Sequence, residues 1–201
     1  ARAETSTPVG KLHEIESYHA HSMIFTRFDY STGDAAGQNM VSRATFIACE
    51  WINQQRPEML HYMLSGNFDT EKKTSSVNLL KTRGRRVTAE ITIPRDILMK
   101  HLRVAPEQIA YGQQISTLSA ILTNSSNNAN HPANALAALY LATGQDVANI
   151  GESNQCTTFQ RATSKGDFYF SITLPALIMA TYGGGTSLPT QRECLRMLGC
   201  E

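Results

Sequence analysis

Polar and apolar positions alternate twice near the start of the chain. "KLHEIESY" (residues 11–18) and "SMIFTRFDY" (residues 22–30) both read as strands, and the polar stretch His19–Ser22 joins them as a hairpin. The period then changes. Met40, Ala44, Ile47, Ala48 and Trp51 recur at helical spacing, which predicts a helix from Ala35 to about Asn53. Pro57 interrupts, and "EMLHYML" (residues 58–64) reads as a third strand. The pattern up to Leu64 is therefore ββαβ, a compact sheet with one covering helix.

The next stretch, "SGNFDTEKKTSS" (residues 65–76), is polar and rich in turn formers, as expected of a linker or a site. Beyond it Val87, Ala89, Ile91 and Ile93 alternate with Thr88, Glu90 and Thr92, the signature of a half-buried strand. Pro94 suits the first turn of a short helix through Leu102, and a second helix covers Pro106 to Leu122. "NSSNNANH" is a loop, after which Pro132 opens a long apolar helix through "ANALAALYLATGQDVAN". "DFYFSITL" is a strand, "YGGGT" a tight turn, and Pro189 to Leu198 a last helix closed by Gly199. Strands and helices mix without strict βαβα alternation, so the fold class is α+β.

Composition narrows the picture modestly. At 201 residues the chain is long enough to bury a real core, as one large domain or two small ones. Its 41% apolar and 17% charged content is that of an ordinary globular protein, and a net charge of +1 gives no broad footprint for nucleic acid. No apolar run approaches the roughly 18 residues of a membrane span, and the start does not resemble a signal peptide. The four cysteines form no C-x-x-C pair and read as reduced thiols of a cytoplasmic protein. The chain opens Ala-Arg and stops one residue past "CLRMLGC", so a fragment is expected.

Several residues stand out chemically. In "STGDAAGQNM" Asp34 sits between Gly33 and Gly37 where a helix is about to begin. It reads either as an N-cap or as part of a glycine-supported turn that closes on a ligand phosphate. Asp146 falls on the same predicted helix face as Ala135, Leu139 and Ala142. There it either reaches water near the helix end or needs a cation to meet it. Lys72 and Lys73 are the candidate cations, unless they are simply a solvated surface. A lysine beside such an aspartate suits a developing oxyanion, where one well-placed donor is worth about 2.7–4 kcal/mol. Three glycines in "TYGGGTSLP" allow either close backbone approach to a ligand or a flexible turn. His19 and His21 lack a third metal ligand nearby, and His131 before Pro132 reads as a loop residue.

Taken in order, "TGDAAGQNMVS", "SGNFDTEKK", "GRRVTAEITIP", "NHPANALAALYLATGQDVANIGESN", "LPALIMATYGGGTSL" and "CLRMLG" resemble hydroxymethylglutaryl-CoA reductase across nearly the whole chain. The resemblance implies reduction of hydroxymethylglutaryl-CoA to mevalonate and CoA, in isoprenoid biosynthesis, with two NADPH. It implies a small ferredoxin-like ββαβ domain binding NAD(P) over residues 1–64, a catalytic lysine loop over 65–76, and part of a larger α+β CoA-thioester domain over 77–201. Asp34, Ala36, Gly37, Gln38 and Asn39 fall on the family's dinucleotide loop, and Gly183, Gly184, Gly185 and Thr186 on a stretch lining the cofactor site. The catalytic lysine falls on Lys72 and the catalytic aspartate on Asp146. Substrate-binding positions fall on Ser65, Glu71, Lys73 and Asn134, with Ser42 a weaker match, and no metal is implied.

The family's catalytic glutamic acid would precede Ala1, and its catalytic histidine would follow Glu201, so the stretch by itself is expected to be inactive. Thr7 stands where some members place an arginine against the NADPH 2′-phosphate. NADPH is expected, with NADH open and with Arg2, Lys11 and Arg43 as alternative cations. A homo-oligomer is implied, a dimer or dimer of dimers, with Lys72 meeting Asp146 across or beside an interface. Two other readings stay open: another nicotinamide oxidoreductase acting on a CoA thioester, and a catalytically dead relative that binds CoA esters or regulates a partner.

Overall fold

The computed structural model describes residues 2–59, 61–129 and 131–200. The chain divides into two compact units, Ala1–Glu71 with Ala180–Glu201, and Lys72–Met179. Each is mixed α and β, in agreement with the α+β class expected.

The first unit is built on an antiparallel hairpin of β1 (Lys11–Ala20) and β2 (Met23–Ser31). The ladder runs from Lys11 opposite Ser31 to Ala20 opposite Met23, slipping once between Leu12 and Glu14. His21 takes a left-handed φ of 54° to close the turn. Helix α1 (Gln38–Gln55) follows and packs Ala44 and Ala48 against Ala3, Leu12, Phe28 and Tyr30. Small residues on the buried stripe let helix and hairpin approach closely, which is why an alanine pair serves as core here. The expected third strand is absent among the described residues of 58–64, Leu60 lying outside them. That segment is largely exposed, and the Tyr62 hydroxyl bonds the Glu50 carboxylate on α1 instead of joining a ladder. The small sheet is thus ββα rather than ββαβ. Helix α7 (Pro189–Met197) closes the unit, with Pro189 at its first turn as expected.

The second unit begins with α2 (Ser76–Lys81), capped by Ser75, whose Oγ accepts the Val77 N–H at 3.2 Å. Its sheet has the order β3 (Arg85–Ile93), β5 (Phe168–Leu177), β4 (Thr157–Ala162), antiparallel throughout. Between β3 and β4 run α3 (Arg95–Leu102), α4 (Pro106–Leu122), α5 (Pro132–Thr143) and the short α6 (Ile150–Ser153). Leu136, Tyr140 and Leu177 form the core, flanked by Val87, Ile150, Leu174 and Met179. Strand β4 escaped the hydropathy pattern because its inward residue is polar. Thr158 is buried, its N–H donating to Asn128 Oδ1 at 2.8 Å and its hydroxyl to Gln113 Oε1 at 3.0 Å.

Helix α5 is shorter than its apolar run. Gly144 adopts φ 71°, a left-handed cap, and the Gln145 N–H turns back to the Tyr140 carbonyl at 2.9 Å. Asp146 therefore lies beyond the helix, not on its apolar face, and opens a 3-10 turn over Val147–Asn149 that leads into α6. Tyr140 locks this junction. Its hydroxyl lies 2.7 Å from the Ile178 carbonyl and 2.9 Å from Ser153 Oγ. A carbonyl can only accept, so the phenol donates there and the serine donates to the phenol. Burial pushes the Tyr140 phenol up to about 12, which keeps it a donor at any ordinary pH. Among the described residues no helix is long and apolar enough to cross a membrane.

Replacing Tyr140→Phe keeps the ring but leaves the buried Ile178 carbonyl without its donor. A loss of about 1–3 kcal/mol is expected in urea unfolding; a loss below a few tenths of a kcal/mol would show that the junction does not rest on this hydroxyl.

Candidate active site

In the first unit, two glycine segments far apart in sequence come together. The Asp34 carbonyl accepts the N–H groups of Thr181 at 3.1 Å and Tyr182 at 3.3 Å, which sets the turn before Gly183 beside the turn at 34–37. Asp34 is not the N-cap residue of α1. Gly37 holds that position with φ 74° and has no side chain to cap the helix. A Cβ at Gly37 would fall deep inside the Thr32 side chain, so only glycine fits. Ala36 precedes this residue, Gln38 and Asn39 form the first turn of α1, and Ser42 lies one turn further on, exposed. Gly184, Gly185 and Thr186 form a 3-10 turn in which the Thr186 hydroxyl donates to the Gly183 carbonyl at 2.7 Å. Gln38 Nε2 donates to Glu71 Oε1 at 2.9 Å, and Ser65 Oγ donates to Asp69 Oδ2 at 2.7 Å. The candidate cofactor residues and two of the candidate substrate residues therefore belong to this unit.

The second unit holds the candidate catalytic pair. Lys72 Nζ stands 2.8 Å from Asp146 Oδ2. The contact is made within one chain, so no neighbouring subunit is needed to bring the two groups together. The other carboxylate oxygen, Oδ1, accepts the Ala148 N–H at 3.0 Å, which fixes the carboxylate plane. The hydrogen bond from Lys72 is the main cause that holds the Asp146 carboxyl below the usual aspartate range; partial burial opposes it, and the Ala148 amide and the lysine charge add to it. Side-chain exposures of 38% for Lys72 and 41% for Asp146 leave the pair open to an incoming molecule. Lys73 is exposed, and its carbonyl accepts from Asn78 Nδ2 at 3.1 Å. Asn134 is exposed in the first turn of α5, its N–H donating to the His131 carbonyl at 3.1 Å.

The main chain of Lys72 is clamped by residues that no sequence pattern singled out. Its N–H donates to Glu152 Oε1 at 3.1 Å, and the same oxygen takes the Arg83 guanidinium. Glu152 is wholly buried. A Cβ added to Gly151 would stand 2.5 Å from the Lys72 carbonyl oxygen, and Thr74 Oγ1 donates to the Gly151 carbonyl at 3.0 Å. "NIGESN" offered the only signal, a glutamate in a turn-rich stretch, and its burial depends on an arginine far away in sequence. Among the described residues no cluster of three metal-ligating side chains occurs, His19 and His21 included.

Chemically, the pair offers a cationic donor whose charge is enforced by an adjacent carboxylate, at a place a carbonyl can reach. The glycine turns at the head of α1 offer backbone donors suited to an anionic, phosphate-bearing molecule.

The sequence model of the family described as Hydroxymethylglutaryl-coenzyme A reductase matches residues 1–201. The 3-hydroxy-3-methylglutaryl-coenzyme A reductase of Pyrococcus abyssi is 39% identical over 191 residues, which cover 94% of this chain and 47% of that protein. The enzyme of the same name from Methanothermobacter thermautotrophicus is 41% identical over 200 residues, covering 98% of this chain and 50% of that protein. Reductase 2 of Dictyostelium discoideum is 40% identical over 191 residues, covering 94% and 36%. The chain spans about half the length, or less, of these curated relatives. It belongs to the hydroxymethylglutaryl-coenzyme A reductase family.

Proposed function

We propose that this chain carries the lysine and aspartate of a reductase that converts hydroxymethylglutaryl-CoA to mevalonate and CoA with two NADPH. The observation that carries the reading is the Lys72–Asp146 ion pair at 2.8 Å, formed between the two positions that the family resemblance marks as catalytic. Asp34, Ala36, Gly37, Gln38 and Asn39, with Gly183 to Thr186, are assigned to the nicotinamide cofactor. The fit rests on the positive end of the 18-residue helix α1 and the glycine that must turn left-handed before it. When bound, that cofactor supplies the hydride for each reduction. Arg2, Lys11 and Arg43 are the candidates to meet a 2′-phosphate, so NADPH is preferred over NADH.

The chain's own part is electrostatic. The Lys72 ammonium donates to the thioester carbonyl oxygen and stabilises the negative charge that grows there as the carbon is reduced. Asp146 keeps that amine charged and aimed, since deprotonating Lys72 would strand the carboxylate without its partner. In the second reduction the same ammonium polarises the aldehyde oxygen. Ser65, Glu71, Lys73 and Asn134 are assigned to the substrate, and assembly is proposed as a homodimer or dimer of dimers.

Variants made in the protein expressed from its complete reading frame test this directly. Lys72→Ala is expected to lower kcat by at least a factor of about 100, the effect of removing one oxyanion donor, with an unchanged circular dichroism spectrum. Near-normal turnover removes the lysine from the mechanism. The pair also makes a pH prediction. Its aspartate titrates lower in the folded chain than in the unfolded one, so its stabilisation is present above the ordinary value near 3.9 and fades as pH falls through the folded value. At this exposure the gain is at most about 1 kcal/mol. Carboxyl carbon NMR should show the Asp146 midpoint rise in Lys72→Met; an unmoved midpoint means that the amine is not its partner.

A further inference from the structure

Lys72 is a non-glycine residue held at φ 58°, in the left-handed region that costs an ordinary side chain free energy. A loop residue in that conformation needs its main chain held on both sides. The Glu152 carboxylate takes the Lys72 N–H at 3.1 Å, a charge-assisted bond. The Lys72 carbonyl lies so close to Gly151 that any side chain there would push it away. Thr74 then ties the following turn to the Gly151 carbonyl at 3.0 Å, and the Ser75 N–H reaches Gln155 Oε1 at 3.5 Å.

Glu152 is itself a costly residue to bury. It has no exposed surface, and its charge is offset by Arg83, whose side chain keeps 22% of its exposure. Replacing such a pair by apolar side chains often leaves stability equal or higher, so stability alone is a weak reason for it. Its geometry supplies another. Asp146 begins the segment whose end is Glu152 and Ser153, and Ser153 is pinned by Tyr140. One short rigid segment therefore fixes the aspartate at its start and the lysine backbone at its end.

We propose that Glu152, seated by Arg83 and working with the bare backbone of Gly151, is the positioning residue that aims Lys72 at the reacting carbonyl by holding the lysine's main chain. This rests on the role given to Lys72 above. Glu152 holds the lysine through its main-chain N–H, so its effect belongs in kcat and not in substrate affinity.

The test uses the protein from its complete reading frame. Glu152→Gln keeps the shape and an acceptor but loses the charge; Gly151→Ala forces the Lys72 carbonyl outwards while ordinarily favouring a helix. Each is expected to lower kcat between about 10-fold and 100-fold, the scale of a small misplacement of a catalytic group. KM for the thioester and for NADPH should stay within about twofold, with thermal midpoints that do not track the loss. Unchanged kcat in either folded variant overturns the positioning role. If neither variant folds, amide hydrogen exchange in the unmodified protein decides: a protected Lys72 N–H supports the role, and exchange as fast as in an open loop overturns it. Lys72→Ala separates the two levels. If it is inactive while a folded Glu152→Gln is fully active, the positioning role alone falls; if it is active, the lysine assignment falls and the positioning role with it.

Discussion

Two charged groups distant in sequence meet at Lys72 and Asp146 because a single rigid segment addresses both of them. Asp146 stands at the head of a 3-10 turn and is oriented by the Ala148 amide. A few residues later Glu152 grips the Lys72 N–H from the interior. The segment cannot slide, since Ser153 is bonded to Tyr140 and accepts the Ile178 N–H at 3.0 Å. A shift of α6 would break the lysine clamp and the Tyr140 lock together. Backbone anchoring thus brings the two side chains within reach of each other, and their own attraction closes the pair to 2.8 Å.

The burial of the participants follows a consistent order. The groups that would meet a substrate, the Lys72 amine and the Asp146 carboxylate, keep 38% and 41% of their exposure. The group that would position them, Glu152, keeps none. A catalytic pair sunk into the interior would carry a large desolvation cost and would be closed to a thioester. A positioning carboxylate left in water would lose its hold to competing solvent. The arrangement places each charge where its task is least compromised.

Much of this architecture was legible in the sequence, and the failures have specific causes. The hairpin, α1 and β3 follow from periodicity, and α3, α4 and α7 from the proline that stands at the head of each. β4 was hidden because the residue it buries is Thr158, satisfied by Asn128 and Gln113, so no apolar alternation marks it. The apolar run after Pro132 predicts a longer helix than forms, because the left-handed turn at Gly144 ends it and frees Asp146 from the helix face. "EMLHYML" had the residues of a strand but no neighbour to pair with, and Tyr62 found Glu50 instead. The ion pair was reached through family resemblance, not through spacing. Glu152 shows in the sequence only as a glutamate in a turn-rich stretch, since a buried carboxylate is defined by partners that only folding supplies.

The first unit raises a related point about charge. A net charge of +1 gives no hint of affinity for a phosphate-rich molecule. Such affinity does not require net charge. The start of an 18-residue helix carries a fractional positive potential, and the amides of its first turn have no carbonyl partners within the helix. Gly37 removes the side chain that would otherwise cover that end, and the Asp34 carbonyl spends its acceptor capacity on Thr181 and Tyr182, drawing a second glycine turn alongside. The binding potential proposed for this surface is therefore carried by main-chain dipoles whose direction depends on the fold. Composition counts side chains, so it is blind to it, and only the order of the glycines around Asp34 leaves a trace in the sequence.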